Sequence, residues 1–395
     1  MFICRCLVLA GLLCWPYSYA QPVGTTQPQT RFESGLQFLL DKDYAAAAKV
    51  FEALFADTQS ERVRLEWART AYLLQDYEKA QSLFKAVLAT APPLSVREKI
   101  EVFLEDILLA QGRVDYSFSL VRDSNPTATP RVRSFNLFGL PFEYIPQTGS
   151  QPKWGIDYKL SGTKGLDESR RLIGGVGLLG TYFADSTTNR TGLDAHLVYR
   201  MLFEPRAELK ISHERLDRGA NPLYRYSWFT LLYGIETSAQ WRWNNELRYG
   251  VIAYPLYAYQ NTTLSSYRLT GDRAISQVAA IGFELGRETG RAAEHSYSFV
   301  GSSHGLTGAY FVAALATRVR LKWLVSNRRH AEADPFFGIL RIDQQRNIVL
   351  TLEPTTLHIA GLTPVVELRY EKNASTLPLS NYDRMTASVT LKRGF

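Results

Sequence analysis

Two hydrophobic periodicities divide the chain near Val114. Before that residue apolar positions recur every three or four residues, as on the buried face of a helix, and after it they alternate with polar positions to the end of the chain. The pattern predicts an α-helical domain over residues 21–112, followed by a β-sheet domain over residues 113–395.

The helical part contains an internal repeat. Asp43 and Asp76 stand at equivalent positions 33 residues apart, and each is followed by the pattern Tyr-x-x-Ala-x-x-x-Phe. A small Ala lets the two helices of a pair approach closely, and the aromatic residues fill the space between pairs. The predicted packing residues are Tyr44, Ala47 and Phe51 in the first copy and Tyr77, Ala80 and Phe84 in the second.

The period and the pattern resemble tetratricopeptide repeats, whose period is about 34 residues. A further amphipathic segment, from Val96 to Leu108, is predicted to cap the two repeats. Two repeats bury little apolar surface, because the stability of such an array accumulates from stacked neighbours. The domain is interpreted either as a dock for a client peptide or as a spacer that plugs or steadies the domain after it.

The final segment shows the two-residue alternation most clearly. Apolar Met385, Ala387, Val389 and Leu391 alternate with polar residues, so one face of the strand is apolar and the other polar. A soluble sandwich would alternate in the same way, but an export signal and many such strands favour a closed outer-membrane barrel, which leaves no unpaired edge in hydrocarbon. No stretch after Ala20 offers the 18 or more apolar residues typical of a transmembrane helix.

The number of strands follows from length. Val114 to Phe395 is 282 residues, and a membrane strand with its share of turns takes about 20, which predicts about 14 antiparallel strands and leaves 12 and 16 open. Aromatic residues near predicted strand ends suggest the girdles that lie at membrane interfaces; they are Tyr224, Tyr226, Trp228, Trp241, Trp243, Tyr254, Tyr257 and Tyr259.

Charged residues of two strands are predicted to point into the barrel. They are Arg318, Arg320 and Lys322 on one strand and Glu367, Arg369 and Glu371 on another. Interior ion pairs that merely hold the shape of the barrel are one interpretation, and a pathway that guides a polar chain is the other.

The first 20 residues have the form of a secretory signal peptide. Arg5 precedes a short apolar run, and small residues at Ser18 and Ala20 predict cleavage before Gln21. Lipid attachment at Cys14 is not expected, because Leu13 stands where a small residue is needed. All three cysteines lie within this segment, which leaves the mature chain without disulfides or thiolate metal sites.

The remaining chemistry indicates a protein that is not an enzyme. The six histidines are scattered, and no metal-ligand spacing, phosphate-binding loop or dinucleotide fingerprint is visible, so no catalytic residue, metal or cofactor is predicted. The formal charge of +7 without a basic cluster argues against a nucleic-acid partner.

The order of signal peptide, tetratricopeptide-like helices and terminal barrel resembles the surface lipoprotein assembly modulator (Slam) family. Arg122-Asp123-Ser124-Asn125 is similar to the family's acidic-Asn segment at the domain junction. Motifs near the carboxyl end look like its closing strands: Phe337-Gly338 with Arg341 and Asp343, Gly361-x-x-Pro364, Tyr370-x-x-Asn373-x-Ser375, Tyr382 with Arg384, and Phe395.

The resemblance implies an outer-membrane translocon whose helical domain lies in the periplasm. Such a protein would move a surface lipoprotein, or a related secreted protein, from the periplasm to the cell surface. The barrel-assembly machinery, which reads the terminal Phe, and membrane lipids are its expected further partners. The helical domain is shorter than in typical members, and an exopolysaccharide export porin and a passive diffusion porin remain alternatives.

Overall fold

The computed structural model of the chain describes residues 27–90, 92–137, 139–145, 151–184, 188–201, 207–237, 241–359 and 362–393. The chain divides into two units between Ile107 and Leu108. The predicted signal peptide, Gly361 and Phe395 lie outside the described residues.

The described part of the chain contains five α-helices. They are α1 (Gln27–Leu40), α2 (Tyr44–Thr58), α3 (Glu61–Leu73), α4 (Tyr77–Ala89) and α5 (Leu94–Gln111). None of these helices is both long enough and apolar enough to cross a membrane.

The sequence repeat is also a structural repeat. Asp43 and Asp76 are the N-caps of α2 and α4, and each carboxylate accepts a hydrogen bond from the backbone N–H three residues later, at 3.0 and 3.2 Å. The residues before the caps, Lys42 and Gln75, both have a φ of 61°. Each helix pair therefore turns through the same tight loop and starts its second helix in the same way.

Small and aromatic residues form the core of each pair. Ala47, Phe51, Ala80 and Phe84 are fully buried. A Cβ atom on Gly35 of α1 would lie 2.7 Å from the Phe51 ring, so the closest approach of α1 and α2 requires glycine at this position. The alternation of small and large residues that defines the repeat thus sets the spacing of its helices.

Fourteen strands, taken from the described residues, close into one antiparallel barrel, as the sequence predicted. The first strand, β1, pairs with β4 on one side and with the last strand, β16, on the other. The barrel strands are β1 (Arg113–Asp123), β4 (Lys153–Gly165), β5 (Leu172–Phe183), β6 (Arg190–Met201), β7 (Ala207–Arg218), β8 (Asn221–Glu236), β9 (Trp241–Ala253), β10 (Thr262–Ala274), β11 (Ala279–Ala292), β12 (Phe299–Val312), β13 (Thr317–Ala333), β14 (Leu340–Pro354), β15 (Leu362–Ser375) and β16 (Tyr382–Arg393).

Two short strands lie outside the barrel wall. β2 (Ser134–Leu137) and β3 (Leu140–Glu143) form a separate antiparallel hairpin within the connection from β1 to β4. The sequence analysis did not predict this hairpin. Its strands are only four residues long, too short for periodicity to be recognised.

An even number of strands puts both termini of the barrel at one end. We call this the terminal end, where β1 begins and β16 ends, and we call the other the loop end. At the loop end, asparagine side chains cap three hairpins. Asn189, Asn261 and Asn381 accept hydrogen bonds from backbone N–H groups where the preceding strand ends; the donors are Phe183, Tyr254 and Ser375, at 2.7, 2.7 and 2.8 Å.

The alternation along each strand separates an apolar outer face from a polar inner face. On β13, Leu321 and Trp323 are exposed, while Lys322 points to the opposite face. The Lys322 Nζ lies 2.7 Å from the Glu284 carboxylate of β11, across the intervening β12. Side chains of strands that are not neighbours converge on the concave side of a closed sheet, so the charged face is the inner one.

Candidate functional site

The inner wall carries a network of ion pairs centred on Glu284 of β11. This carboxylate is only 9% exposed, and it pairs with Lys322 at 2.7 Å and with Arg268 at 3.5 Å. Four residues further along β11, closer to the loop end, Glu288 pairs with Arg328 of β13 at 2.8 Å. The sequence analysis named Lys322 but missed Glu284 and Glu288, because partner strands two places apart cannot be read from spacing.

The two predicted charge sets lie on the inner face but do not pair with each other. Arg318 stands opposite Glu353 in the register of β13 and β14, Arg320 stands opposite Thr351, and Glu367 stands on the other side of Thr351. On β15, Arg369 pairs with Glu367 of the same strand at 2.9 Å. Glu371 accepts hydrogen bonds from Tyr382 and Gln345.

The seam between the first and last strands contains the most deeply buried ion pair of the barrel's described residues. Asp123 ends β1 with 1% of its surface exposed, and its carboxylate accepts three hydrogen bonds from the Arg384 guanidinium of β16, two of them from Nε at 2.9 Å. The described ladder between these two strands runs only from Ser117 to Asp123. The ion pair therefore fixes the loop end of a short seam.

The chain then folds back over the inside of the barrel at the loop end. Asn125 donates to the carbonyls of Thr129 and Asp383 at 3.0 and 3.1 Å, and Pro126 is fully buried. Arg190, on the inner face of β6, donates to the Pro126 carbonyl at 2.8 Å. Since β6 is three strands away from β1, residues 124–131 extend inward across the opening, and we call them the inner strap.

A second ion pair holds the outer limb of the inner strap. The Arg131 guanidinium makes two hydrogen bonds to the Asp383 carboxylate of β16, and these raise the pKa of Arg131 above its ordinary value. Unlike Asp123, both partners are well exposed to solvent. The strap thus has one buried attachment and one exposed attachment to the same strand.

The β2–β3 hairpin contacts the loop between β13 and β14. The Phe135 ring lies 6.0 Å from Phe142 of the same hairpin and 5.6 Å from Phe337. Gly338 follows in the left-handed region with a φ of 65°, and its N–H donates to the Asp334 carbonyl at 2.8 Å. The Phe-Gly motif thus builds a tight turn that presents an aromatic ring to the hairpin.

Most of the family-like residues collect at the loop end. Arg341 pairs with the buried Asp343 at 2.9 Å, and the Asn373 amide donates to the Ser380 carbonyl at 2.7 Å. Ser375 ends β15 beside Asn381, and Tyr382 begins β16. The exceptions are Pro364, near the terminal end, and Tyr370, on the outer face. What these residues contribute to function stays a prediction.

Part of the aromatic prediction was wrong. Tyr224, Tyr226 and Trp228 lie on the inner face of β8, because Phe229 and its alternate neighbours occupy the outer face. The rings of Tyr226 and Trp228 stack at 4.3 Å, inside the barrel. Trp241, in contrast, is on the outer face, 5.5 Å from Trp243.

Two of the histidines are less isolated than the sequence indicated. His196 lies 3.3 Å from Asp194 on the inner face of β6, and His213 Nδ1 lies 2.8 Å from Ser227 Oγ on the outer face of β7 and β8. The spacing of two between Asp194 and His196 places both on one face of a strand, a signal that the sequence contains, whereas the His213–Ser227 pair depends on the register of β7 and β8. No group of three or more His, Cys, Asp or Glu side chains within the described ranges could hold a metal ion.

A family profile and two relatives are similar to this chain in sequence. The family profile described as "Surface lipoprotein assembly modifier" matches residues 208–395, from β7 to the end of the chain. The chain is similar to surface lipoprotein assembly modifier 1 of Neisseria meningitidis serogroup B, with 24% identity, covering 87% of this chain and 71% of that protein. The protein of the same name from Haemophilus influenzae is 22% identical, covering 90% and 76%.

Solved outer-membrane proteins are also similar. OmpT of Vibrio cholerae covers 71% of this chain and 99% of its own, with 9% identity and a TM-score of 0.40. The anion-selective porin of Comamonas acidovorans covers 72% and 100%, with 12% identity and a TM-score of 0.39.

Proposed function

Since the chain belongs to the surface lipoprotein assembly modifier family, we propose that its outer-membrane barrel moves a surface lipoprotein, or a related secreted protein, from the periplasm to the cell surface. In this proposal the terminal end of the barrel faces the periplasm, together with the helical domain of residues 21–112, and the loop end faces outward. Residues 113–395 form the conducting domain.

The observation that carries the proposal is the inner strap at the loop end. A pore for passive diffusion needs no element across its opening that is tied to the last strand. Here the exposed Arg131–Asp383 pair is the attachment of the strap that breaks easily, because an exposed ion pair contributes only about 0–1 kcal/mol to stability. The buried Asp123–Arg384 pair remains as the hinge from which the strap moves when a client arrives.

The inner wall suits an extended polypeptide. Its charges have both signs, and carboxylates such as that of Glu284 are already paired with Lys322 and Arg268. A passing polypeptide therefore exchanges hydrogen bonds with the wall and is not held by a strong electrostatic field of one sign. A barrel of this size is too narrow for a folded domain, and we infer that the client passes unfolded or that the wall opens.

The helical domain receives the client before the barrel does. Its two repeats offer the kind of surface that holds extended peptides in related architectures. We infer that insertion of the barrel itself depends on the barrel-assembly machinery.

The test is to co-express the chain with the lipoprotein encoded beside it and to treat intact cells with protease. We expect the client to become protease-sensitive only when the chain is present. A client that stays protected in both strains contradicts the proposal. A variant with the strap fixed to β16 by a disulfide, Arg131→Cys with Asp383→Cys, should block exposure until a reductant is added.

One observation favours a second function, export of a polysaccharide. The stacked Tyr226 and Trp228 rings on the inner wall, with the Arg248 guanidinium 5.8 Å from the Trp228 ring centre, are a surface on which sugar rings can stack. Trp228→Ala should then reduce the block of single-channel current by oligosaccharides. Unchanged block, or no block in the parent protein, excludes this alternative.

A further inference from the structure

The outer face of the barrel contains an oblique apolar trough. Its volume is about 820 Å³, and most of the surface that it exposes is apolar, with Lys164, His213 and Ser227 among the polar residues that line it. The floor is a single row of residues that are opposite one another in the register of six successive strands: Val114, Gly162, Val176, Ala195, His213 and Ser227.

Three of the six floor residues, Gly162, Ala195 and Ser227, are small, and larger residues stand in the rows on either side. A Cβ atom on Gly162 would meet nothing within 4 Å, so the floor is open at that point. The neighbouring outward rows in the register contain Leu160, Leu178 and Leu193 on one side and Leu197, Ile211 and Phe229 on the other.

The trough climbs obliquely across the apolar outer face. It begins at Val114, the second residue of β1, at the terminal end, and it finishes beside the Arg215–Arg225 row near the loop end. Because neighbouring strands are about 4.8 Å apart, a row that crosses six strands is about 24 Å long. The strands of such barrels tilt by about 35–45°, so the row, which runs at right angles to them, climbs about 14–17 Å along the membrane normal and passes the middle of an apolar band of about 25 Å.

The polar end of the trough is the His213–Ser227 pair. Both side chains are on the outer face, 2.8 Å apart. Whichever tautomer His213 adopts, the pair uses one donor internally and keeps one N–H or O–H donor for another acceptor. An ester or amide carbonyl offers such an acceptor, and hydrocarbon does not.

We propose that this trough holds an acyl chain of the client's lipid anchor while the client changes leaflets, with His213 and Ser227 bonding a carbonyl of the acylated terminus. The inference rests on the proposed function. It commits to the client's acyl chain rather than to a membrane lipid, because a resident lipid stays in one leaflet whereas this trough passes from one leaflet into the other. An acyl chain drawn into the polar lumen would instead lose about 0.8 kcal/mol for every CH₂ group exposed to water.

The first test is photo-cross-linking in cells. Benzoylphenylalanine is placed at position 195 in the trough or at the outward position 285 on β11, and the client is labelled through an alkyne fatty acid. We expect a labelled client adduct at position 195 and none at position 285. Adducts at position 195 that contain membrane lipid only, or equal adducts at both positions, overturn the proposal.

The second test fills the trough. Gly162→Leu is compared with Gly308→Leu, since Gly308 is also an outward glycine with nothing within 4 Å of its Cβ position, but lies outside the trough. We expect Gly162→Leu to slow surface exposure of the lipidated client by about tenfold, the change that follows from losing on the order of ten van der Waals contacts. The control variant should leave the rate unchanged.

A client without its lipid-accepting cysteine, exported by a cleavable signal, separates this inference from the proposed function. We expect Gly162→Leu to leave its exposure unchanged. Equal slowing of both clients, or of neither, refutes the trough alone. If the parent protein exposes neither client, both the proposed function and the trough proposal are wrong. If it exposes only the lipidated client, the trough proposal is judged by whether a labelled client adduct forms at position 195.

Discussion

Asp123 and Arg384 join the two ends of the barrel across its closing seam. They are 261 residues apart in the chain, yet the carboxylate of one accepts three hydrogen bonds from the guanidinium of the other. Asp123 also accepts the N–H of Asn125 at 2.9 Å, the first step of the inner strap. One carboxylate thus both fixes the seam and orients the element that covers the opening.

Asp123→Asn should destabilise the barrel strongly. Removing one partner of a buried ion pair leaves the other charge unpaired, which costs about 3–5 kcal/mol. The temperature at which the compact, heat-modifiable form is lost on unboiled gels should fall accordingly. The matched control is Asp272→Asn, which breaks the exposed Arg242–Asp272 pair and should cost at most about 1 kcal/mol. Equal effects of the two substitutions contradict the seam's role.

Arg190→Ala should loosen the inner strap. The guanidinium holds the Pro126 carbonyl, and a hydrogen bond to a charged group contributes about 1.5–3 kcal/mol, so the open fraction of single channels in planar bilayers should rise roughly tenfold or more. Arg200→Ala, on the same inner face of β6 but bonded to Glu208 nearer the terminal end, is the control. Conductance that responds to neither substitution means that the strap does not occlude the pore.

The sequence predicted the elements better than their partners. The alternation from Met385 to Leu391 indicates the apolar face of β16, and the repeat of Asp43 and Asp76 indicates two equivalent helix pairs. Both patterns are local, because they depend only on how side-chain directions repeat along a helix or a strand. The number of strands follows in turn from length.

Partners depend on register, which a single sequence leaves open. Lys322 pairs with Glu284 two strands away, and not with the acidic residues of β15. The error at Trp228 had another cause. The Trp228 side chain points inward because it alternates with Phe229, which is on the outer face, and this alternation is visible in the sequence. The expectation of an aromatic girdle at the membrane interface outweighed it.

Glu66→Gln should stabilise the helical unit at neutral pH. Burial raises the pKa of the Glu66 carboxyl, and the nearby Arg69, at 3.6 Å, offsets this only in part. A carboxyl whose pKa is raised by folding favours the folded state when protonated, so its contribution is present at low pH and is lost as pH rises through the folded pKa. The Gln variant removes that loss.

We expect the unfolding midpoint of the helical signal at neutral pH to rise by roughly 4–8 °C if the desolvation cost is about 1 kcal/mol. The difference from the parent chain should shrink toward acidic pH. Glu33→Gln, at an exposed position of α1, serves as the control and should not alter the pH dependence. Circular dichroism of the full chain in detergent measures both.

Phe84→Ala should separate the two domains' contributions to transport. The ring is fully buried and stacks 5.2 Å from Phe103 of α5, and truncating such a residue costs about 3–5 kcal/mol, enough to unfold a small helical array. The barrel, with its own ladder of strands, should keep its heat-modifiable behaviour on gels.

If the helical domain receives the client, surface exposure of the client should fall to the level of cells without the chain. Leu40→Ala, which truncates a side chain that is 76% exposed on α1, should leave exposure of the client unchanged. Limited proteolysis would verify that the helices are unfolded in the Phe84 variant. Full client exposure in that case would show that the barrel acts without a helical dock.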